Sequence, residues 1–162
     1  MILAPESHER LEEFFRAHLR DDTLRLPAVR IYAGTFARRL TQILNIQAIT
    51  FARTIFIAPR LFRRDERERL SAPARLVVHE TAHVLQYQRE GFASFLYQYV
   101  RDYVRALRGA DGHVTERHAV AYRAISFELQ AREAEAAYNA WRRYQKAERE
   151  SDAHGVASRR ES

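Results

Sequence analysis

The chain has 162 residues, 46% hydrophobic and 30% charged, with five Gly and four Pro. That is the size of one globular domain, and the composition excludes a disordered or collagen-like polymer. Its 27 basic and 21 acidic side chains give a formal charge of +6. With no cysteine, a disulfide scaffold, a Cys-ligated zinc finger and a thiol nucleophile are excluded, so any metal must be held by His, Asp or Glu.

Residues 6–20 have the spacing of an amphipathic helix, with Leu11, Phe14, Phe15 and Leu19 on one stripe. Residues 28–32 (AVRIY) alternate like a strand, and residues 34–44 predict a helix through Phe36, Leu40, Ile43 and Leu44. Two β-rich runs, 46–50 (IQAIT) and 53–58 (RTIFIA), lie close enough to pair as a hairpin, with Pro59 closing the second. Residues 63–69 (RRDERER) read as a solvated connector. Ser71 is the expected N-cap of a helix carrying residues 76–88, and Gly91 fits its end. An aromatic-rich helix over 92–107 is expected to pack within a small core. A turn at 109–112 (GADG) and one long helix over 115–147 follow. The expected organisation is one α+β, mostly helical domain over 1–150 with about three strands, and a disordered charged tail over 151–162.

All but one of the basic residues are Arg, the exception being Lys146, and they alternate with acids along the predicted helices. This is the pattern of a solvated surface, so no nucleic-acid partner is expected. No stretch approaches the roughly 18 apolar residues of a membrane span, and the start turns acidic before a signal segment could form. A cytoplasmic protein without a membrane partner is the expectation.

His79, Glu80, Thr81, Ala82 and His83 spell H-E-x-x-H inside a predicted helix. A spacing of four puts both imidazoles on one face, where two nitrogens can reach a single Zn²⁺. Glu80 then sits beside the metal as a general base for a water whose pKa the metal lowers. With 7 His and 15 Glu, a random chain of this composition would contain the motif roughly 0.03 times. The flanking Val77, Val78, Ala82, Val84 and Leu85 are uncharged, as a buried metal helix requires.

A catalytic zinc usually has a third protein ligand. Gln86 and Arg89 stand where the extended motif H-E-x-x-H-x-x-G-x-x-H requires Gly and His, which points away from the metzincin arrangement and towards a glutamate on a later helix. Glu128, flanked by Phe127, Leu129 and Ala131, is the first choice. Glu133, Glu135, His113 and His118 are the alternatives. Tyr122, His118 and Tyr103 are candidate donors to a developing oxyanion.

The order VRIY, NIQAIT, RTIFIAP and VVHETAHVLQ, over residues 29–88, resembles a bacterial domain-of-unknown-function family of HExxH zinc metallopeptidases. Its members read VRVH, AxAxT, an I-x-F strand and HELAHVVQQ. Residues 122–131 (YRAISFELQA) are similar to the E-x-x-A segment that supplies the glutamate ligand in gluzincin-type peptidases, with Glu128 in the ligand position. Several such families continue E-x-x-A-D, the Asp supporting a motif histidine; here Arg132 stands in that place, so the histidine needs another acceptor.

The resemblance implies a minimal zincin-like lobe, with a small sheet, the HExxH helix and a C-terminal glutamate helix. It also implies an edge strand that receives an extended peptide, for which residues 53–58 are the candidate. The function expected is a zinc metallopeptidase of gluzincin type, with His79, His83 and Glu128 as ligands, Glu80 as base and a peptide or protein as substrate. The alternative is a zincin-like domain that keeps the metal but serves as a weakly active or inactive scaffold for protein interaction. An Arg-rich nucleic-acid binder is a distant third.

Overall fold

The computed structural model describes residues 3–64 and 70–158. Helix α1 (Pro5–Leu19) starts on a proline whose fixed φ suits the first turn. It buries Leu11, Phe14 and Phe15 and ends at Arg20 in the left-handed region (φ 54°). Leu19, assigned to the buried stripe from its spacing, is instead half-exposed beside that turn.

Strand β1 (Arg30–Tyr32) turns Ile31 inward, and α2 (Thr35–Ile43) follows. The apolar spacing of this helix misidentifies its buried face. Ala37 and Thr41 face inward, whereas Phe36 is 67% and Ile43 82% exposed. Small residues at i and i+4 suit a close approach to the sheet, and the Thr41 hydroxyl is satisfied within the helix by donating to the Ala37 carbonyl at 2.8 Å.

Strands β2 (Ala48–Phe51) and β3 (Thr54–Ile57) form the expected hairpin, in register Phe51↔Thr54 and Ala48↔Ile57. β3 also pairs in parallel with β1, Arg30 opposite Thr54 and Tyr32 opposite Phe56. The sheet order is therefore β1-β3-β2. β3, the candidate peptide-receiving edge, is the central strand, because both its sides are spent on ladders. The edge positions belong to β1 and β2.

After a 3₁₀ turn at Pro59–Leu61, β4 (Arg63–Arg64) pairs antiparallel with β5 (Leu70–Ser71). The remainder of the expected connector, 65–69, lies outside the described residues. Ser71 is in this ladder and does not cap the next helix. Helix α3 (Ala74–Glu90) starts after Pro73, since a residue preceding proline is pushed away from helical conformation. Gly91, at φ 76°, ends α3 and admits α4 (Phe92–Gly109) without a Cβ penalty.

The single long helix expected over 115–147 is two helices, α5 (Val114–Arg123) and α6 (Ser126–Ser158). At the break, the Ser126 hydroxyl donates to Asp102 of α4, and Ile125 is fully buried. α6 is continuous to Ser158, past the expected tail boundary; residues 159–162 lie outside the described residues. No helix among the described residues is long and apolar enough to cross a membrane.

The architecture is thus α+β and mostly helical, with a small mixed sheet. One apolar cluster joins α1, the sheet, α3 and α6 through Phe14, Phe15, Val29, Ile55, Val78 and Tyr138. A second joins α4 to the start of α6 through Phe95, Ile125 and Phe127. Burying each of these large side chains stabilises the fold by roughly 1.5–3 kcal/mol.

Glu12 of α1 secures the loop that follows, accepting the buried Leu26 N–H at 2.8 Å and pairing with Arg16. Burial pushes its carboxyl up, but the Leu26 N–H and Arg16 outweigh this and hold it below its ordinary value of 4.5. A depressed folded value contributes stability above the ordinary value and loses it as pH falls through the folded one. Glu12→Ala is therefore expected to cost about 1–2 kcal/mol at pH 7. In urea unfolding, the difference from wild type should shrink at pH 3.

Candidate metal centre

The HExxH motif lies in the middle of α3, and its two imidazoles share one face with ring centroids 5.0 Å apart. α6 crosses this face antiparallel: Arg75 meets Glu135, His79 meets Glu128, and Gln86 meets the Phe127 carbonyl. The fold thus brings Glu128 between the two histidines across about fifty residues of chain. His79 Nε2 lies 3.3 Å from Glu128 Oε2, and His83 Nε2 lies 3.3 Å from Glu128 Oε1. Ligand atoms of all three residues fall within 4.8 Å of one another.

This donor set fits a metal ion. In a tetrahedral site with bonds of 2.0–2.1 Å, neighbouring ligand atoms are about 3.3–3.4 Å apart; each histidine lies at this distance from one of the two Glu128 oxygens. The Glu128 side chain is 3% exposed, yet its buried Oε2 makes no hydrogen bond; the 3.3 Å approach of His79 is a contact without hydrogen-bond geometry. Its Oε1 accepts from the Tyr99 hydroxyl at 3.0 Å. A cation would satisfy the orphaned oxygen.

The electrostatics are those of a tightly paired buried cluster. Burial pushes the Glu128 carboxyl up, but His79, His83 and the Tyr122 hydroxyl together hold it well below the carboxylate range. Burial likewise disfavours a charged His83, but Glu128, Glu80 and Gln86 raise its proton affinity overall. A cation here would compete with that proton for the His83 ring.

Glu80 points to the sheet side of α3 and is buried. The Thr50 hydroxyl of β2 lies 2.7 Å from Glu80 Oε2 and 3.2 Å from the Glu80 carbonyl. It has one proton to donate, and the shorter contact to the carboxylate takes it. Burial raises the Glu80 carboxyl above its ordinary value, and the nearby Glu128 adds to this, against the His83, Thr50 and His79 contributions. β2 is therefore fastened to the motif helix, and it forms one wall of an open cleft of about 850 Å³ over the His79, His83 and Glu128 group. Its outer side pairs with no strand among the described residues.

The alternative ligands fall elsewhere. Glu133 is exposed on the α6 surface. Glu135 bonds Arg75 at 2.9 Å and comes within 3.6 Å of His79 Nδ1, the ring nitrogen turned away from Glu128. His113 and His118 are both exposed, His118 pairing with Tyr103. Of the three oxyanion candidates, only Tyr122 lines the cleft.

Sequence reasoning missed Thr50, Tyr99 and Gln86. The Thr at the end of NIQAIT was visible as part of the family resemblance, and Tyr99 as one of the helical series Phe95, Tyr99, Tyr103. Gln86 had a local signal, one turn after His83 and at a Gln of the pattern HELAHVVQQ, but its partners Phe127 and Gln130 are some forty residues away.

A family model described as the eCIS core domain matches residues 4–91, more than half of the chain. The chain belongs to the eCIS core domain family. The matched segment runs from α1 to the end of α3 and contains the stretch 29–88 that carries the family resemblance. The eCIS core segment supplies His79, Glu80 and His83; Glu128 comes from outside it. No curated protein and no solved structure matches the chain.

Glu128→Ala is expected to reduce bound zinc in the purified protein to a small fraction of the wild-type stoichiometry. Glu133→Ala should leave it unchanged. Elemental analysis of the two variants checks the assignment.

Proposed function

We propose that the chain is a zinc-dependent peptidase of gluzincin type. The observation that carries this reading is the convergence of His79, His83 and Glu128 beside a buried Glu80, in a cleft walled by an open-edged strand. Zinc, when bound, supplies a Lewis acid that makes water nucleophilic at neutral pH. An extended peptide adds to the outer side of β2, which fixes its scissile bond relative to Glu80 through the Thr50 contact. Glu80 accepts the proton of the attacking water. As the peptide C–N bond breaks, Glu80 passes that proton to the leaving amine. The Tyr122 hydroxyl lines the cleft beside Glu128 and is the donor that would turn to the developing oxyanion.

A second reading, a zinc-holding domain for protein interaction, is favoured by one observation. Phe36 and Ile43 of α2 are exposed, 67% and 82%. One comparison separates the two readings. Zinc-loaded wild type and Glu80→Gln are assayed on a broad peptide library. For a peptidase, Glu80→Gln keeps its zinc and loses roughly 10²–10⁴-fold in turnover. Absence of cleavage by zinc-replete wild type overturns the peptidase reading and favours the interaction one.

A further inference from the structure

The geometry assigns Gln86 as the positioning residue of His83, in place of the aspartate that Arg132 displaces; this rests on the metal reading above, though not on the hydrolysis. Gln86 is 5% exposed and lies one turn after His83 on α3. Its Oε1 is 2.8 Å from His83 Nδ1. Its Nε2 donates to the Phe127 carbonyl at 3.1 Å and to Gln130 Oε1 at 3.2 Å. Because the amide nitrogen is held by two acceptors, the amide cannot flip, and Oε1 is obliged to face the imidazole. Nδ1 must then carry the proton and donate, which leaves Nε2, the nitrogen 3.3 Å from Glu128, as the one with a lone pair for a cation.

Only an amide can fill this position with all three contacts. A carboxylate would accept from His83 but could not donate to the Phe127 carbonyl, and an asparagine is one methylene shorter. Phe127 immediately precedes Glu128, so the same side chain that orients one ligand on α3 is anchored to the backbone beside the other ligand on α6. Arg132, at the position of the supporting Asp in the families the sequence resembles, donates to the Arg123 carbonyl and places its other guanidinium nitrogen 4.0 Å from Glu128 Oε2; having no acceptor, it cannot take a proton-bearing Nδ1 as an Asp would. Near His79, Glu135 lies 3.6 Å from Nδ1 and is paired with Arg75, beyond hydrogen-bond length; the hydrogen-bonded support is that of His83.

The test uses the full chain with zinc, and with Co²⁺ as a paramagnetic reporter. Zinc affinity is measured by chelator competition, and imidazole N–H protons by their hyperfine-shifted NMR signals in the Co²⁺ form. In wild type, the His83 N–H is expected to survive solvent presaturation; rapid exchange of that signal overturns the assignment without any variant. Gln86→Met, close in shape and without an acceptor, should lose the slow N–H and weaken zinc binding about 10–100-fold. Gln86→Glu, which keeps an acceptor but no donor, should retain the slow N–H and bind zinc at least tenfold more tightly than Gln86→Met. If Met and Glu weaken zinc binding equally, Gln86 only ties α3 to α6 and the proposal fails. It also fails if Gln86→Met binds zinc as wild type does. If wild type takes up neither zinc nor Co²⁺, the metal reading itself falls, an outcome distinct from a change confined to the variants.

Discussion

A carboxylate removed from water must be compensated where it sits, or the fold loses several kcal/mol. Glu128 is such a group, buried at the crossing of α3 and α6, the most extensive packing between elements in the molecule. Its compensation comes from His79 and His83 on one side, from the Tyr99 and Tyr122 hydroxyls on another, and from Arg132 4.0 Å from Oε2. The remaining deficit, an oxygen with no hydrogen bond, is what distinguishes the cluster from an ordinary buried ion pair. The packing of α3 on α6 and the metal-binding chemistry are consequently one feature: the apolar contacts of Val78, Val84, Ala131 and Ala134 hold the helices at the separation that the polar triad needs.

The sheet contributes to the same centre from the opposite side of α3. With β3 central, β2 is free to face the cleft, and Thr50 ties that strand to Glu80. The strand that would bind an extended chain and the carboxylate that would act on it are therefore positioned by one hydroxyl. β1, at the far edge, carries Tyr32 stacked on Phe56, with Phe36 of α2 against the same ring. These aromatics lie away from the metal residues and belong to the surface that the interaction reading would use.

Support for the histidines follows no single pattern. Where the families that the sequence resembles carry an Asp on the glutamate helix, this chain has Arg132, and the acceptor beside a motif histidine is Gln86 on α3 itself, 2.8 Å from His83 Nδ1. Gln86 in turn reaches across the α3–α6 contact to the Phe127 carbonyl, and Glu135 lies 3.6 Å from His79 Nδ1.

The sequence by itself determined the α+β class, the hairpin and the motif helix, because these depend on periods of two and 3.6 and on a motif whose spacing is local, and it named the three residues that the fold brings together as a group able to hold a metal ion. It misjudged the buried face of α2, the start of α3 and the continuity of the last helix. In each case a tertiary contact outweighed local pattern: close approach to the sheet at Ala37 and Thr41, the β4–β5 ladder at Ser71, and the burial of Ile125 at the α5–α6 break. Only the tertiary structure decided that β2 is an edge strand, that Gln86 meets His83 Nδ1 and Glu135 lies near His79, and that Thr50 and Tyr99 bond the two glutamates. Apart from the His83–Gln86 contact, one turn along α3, those side-chain contacts join residues about thirty to fifty-five positions apart, and no periodicity in a single chain encodes which distant side chains will meet.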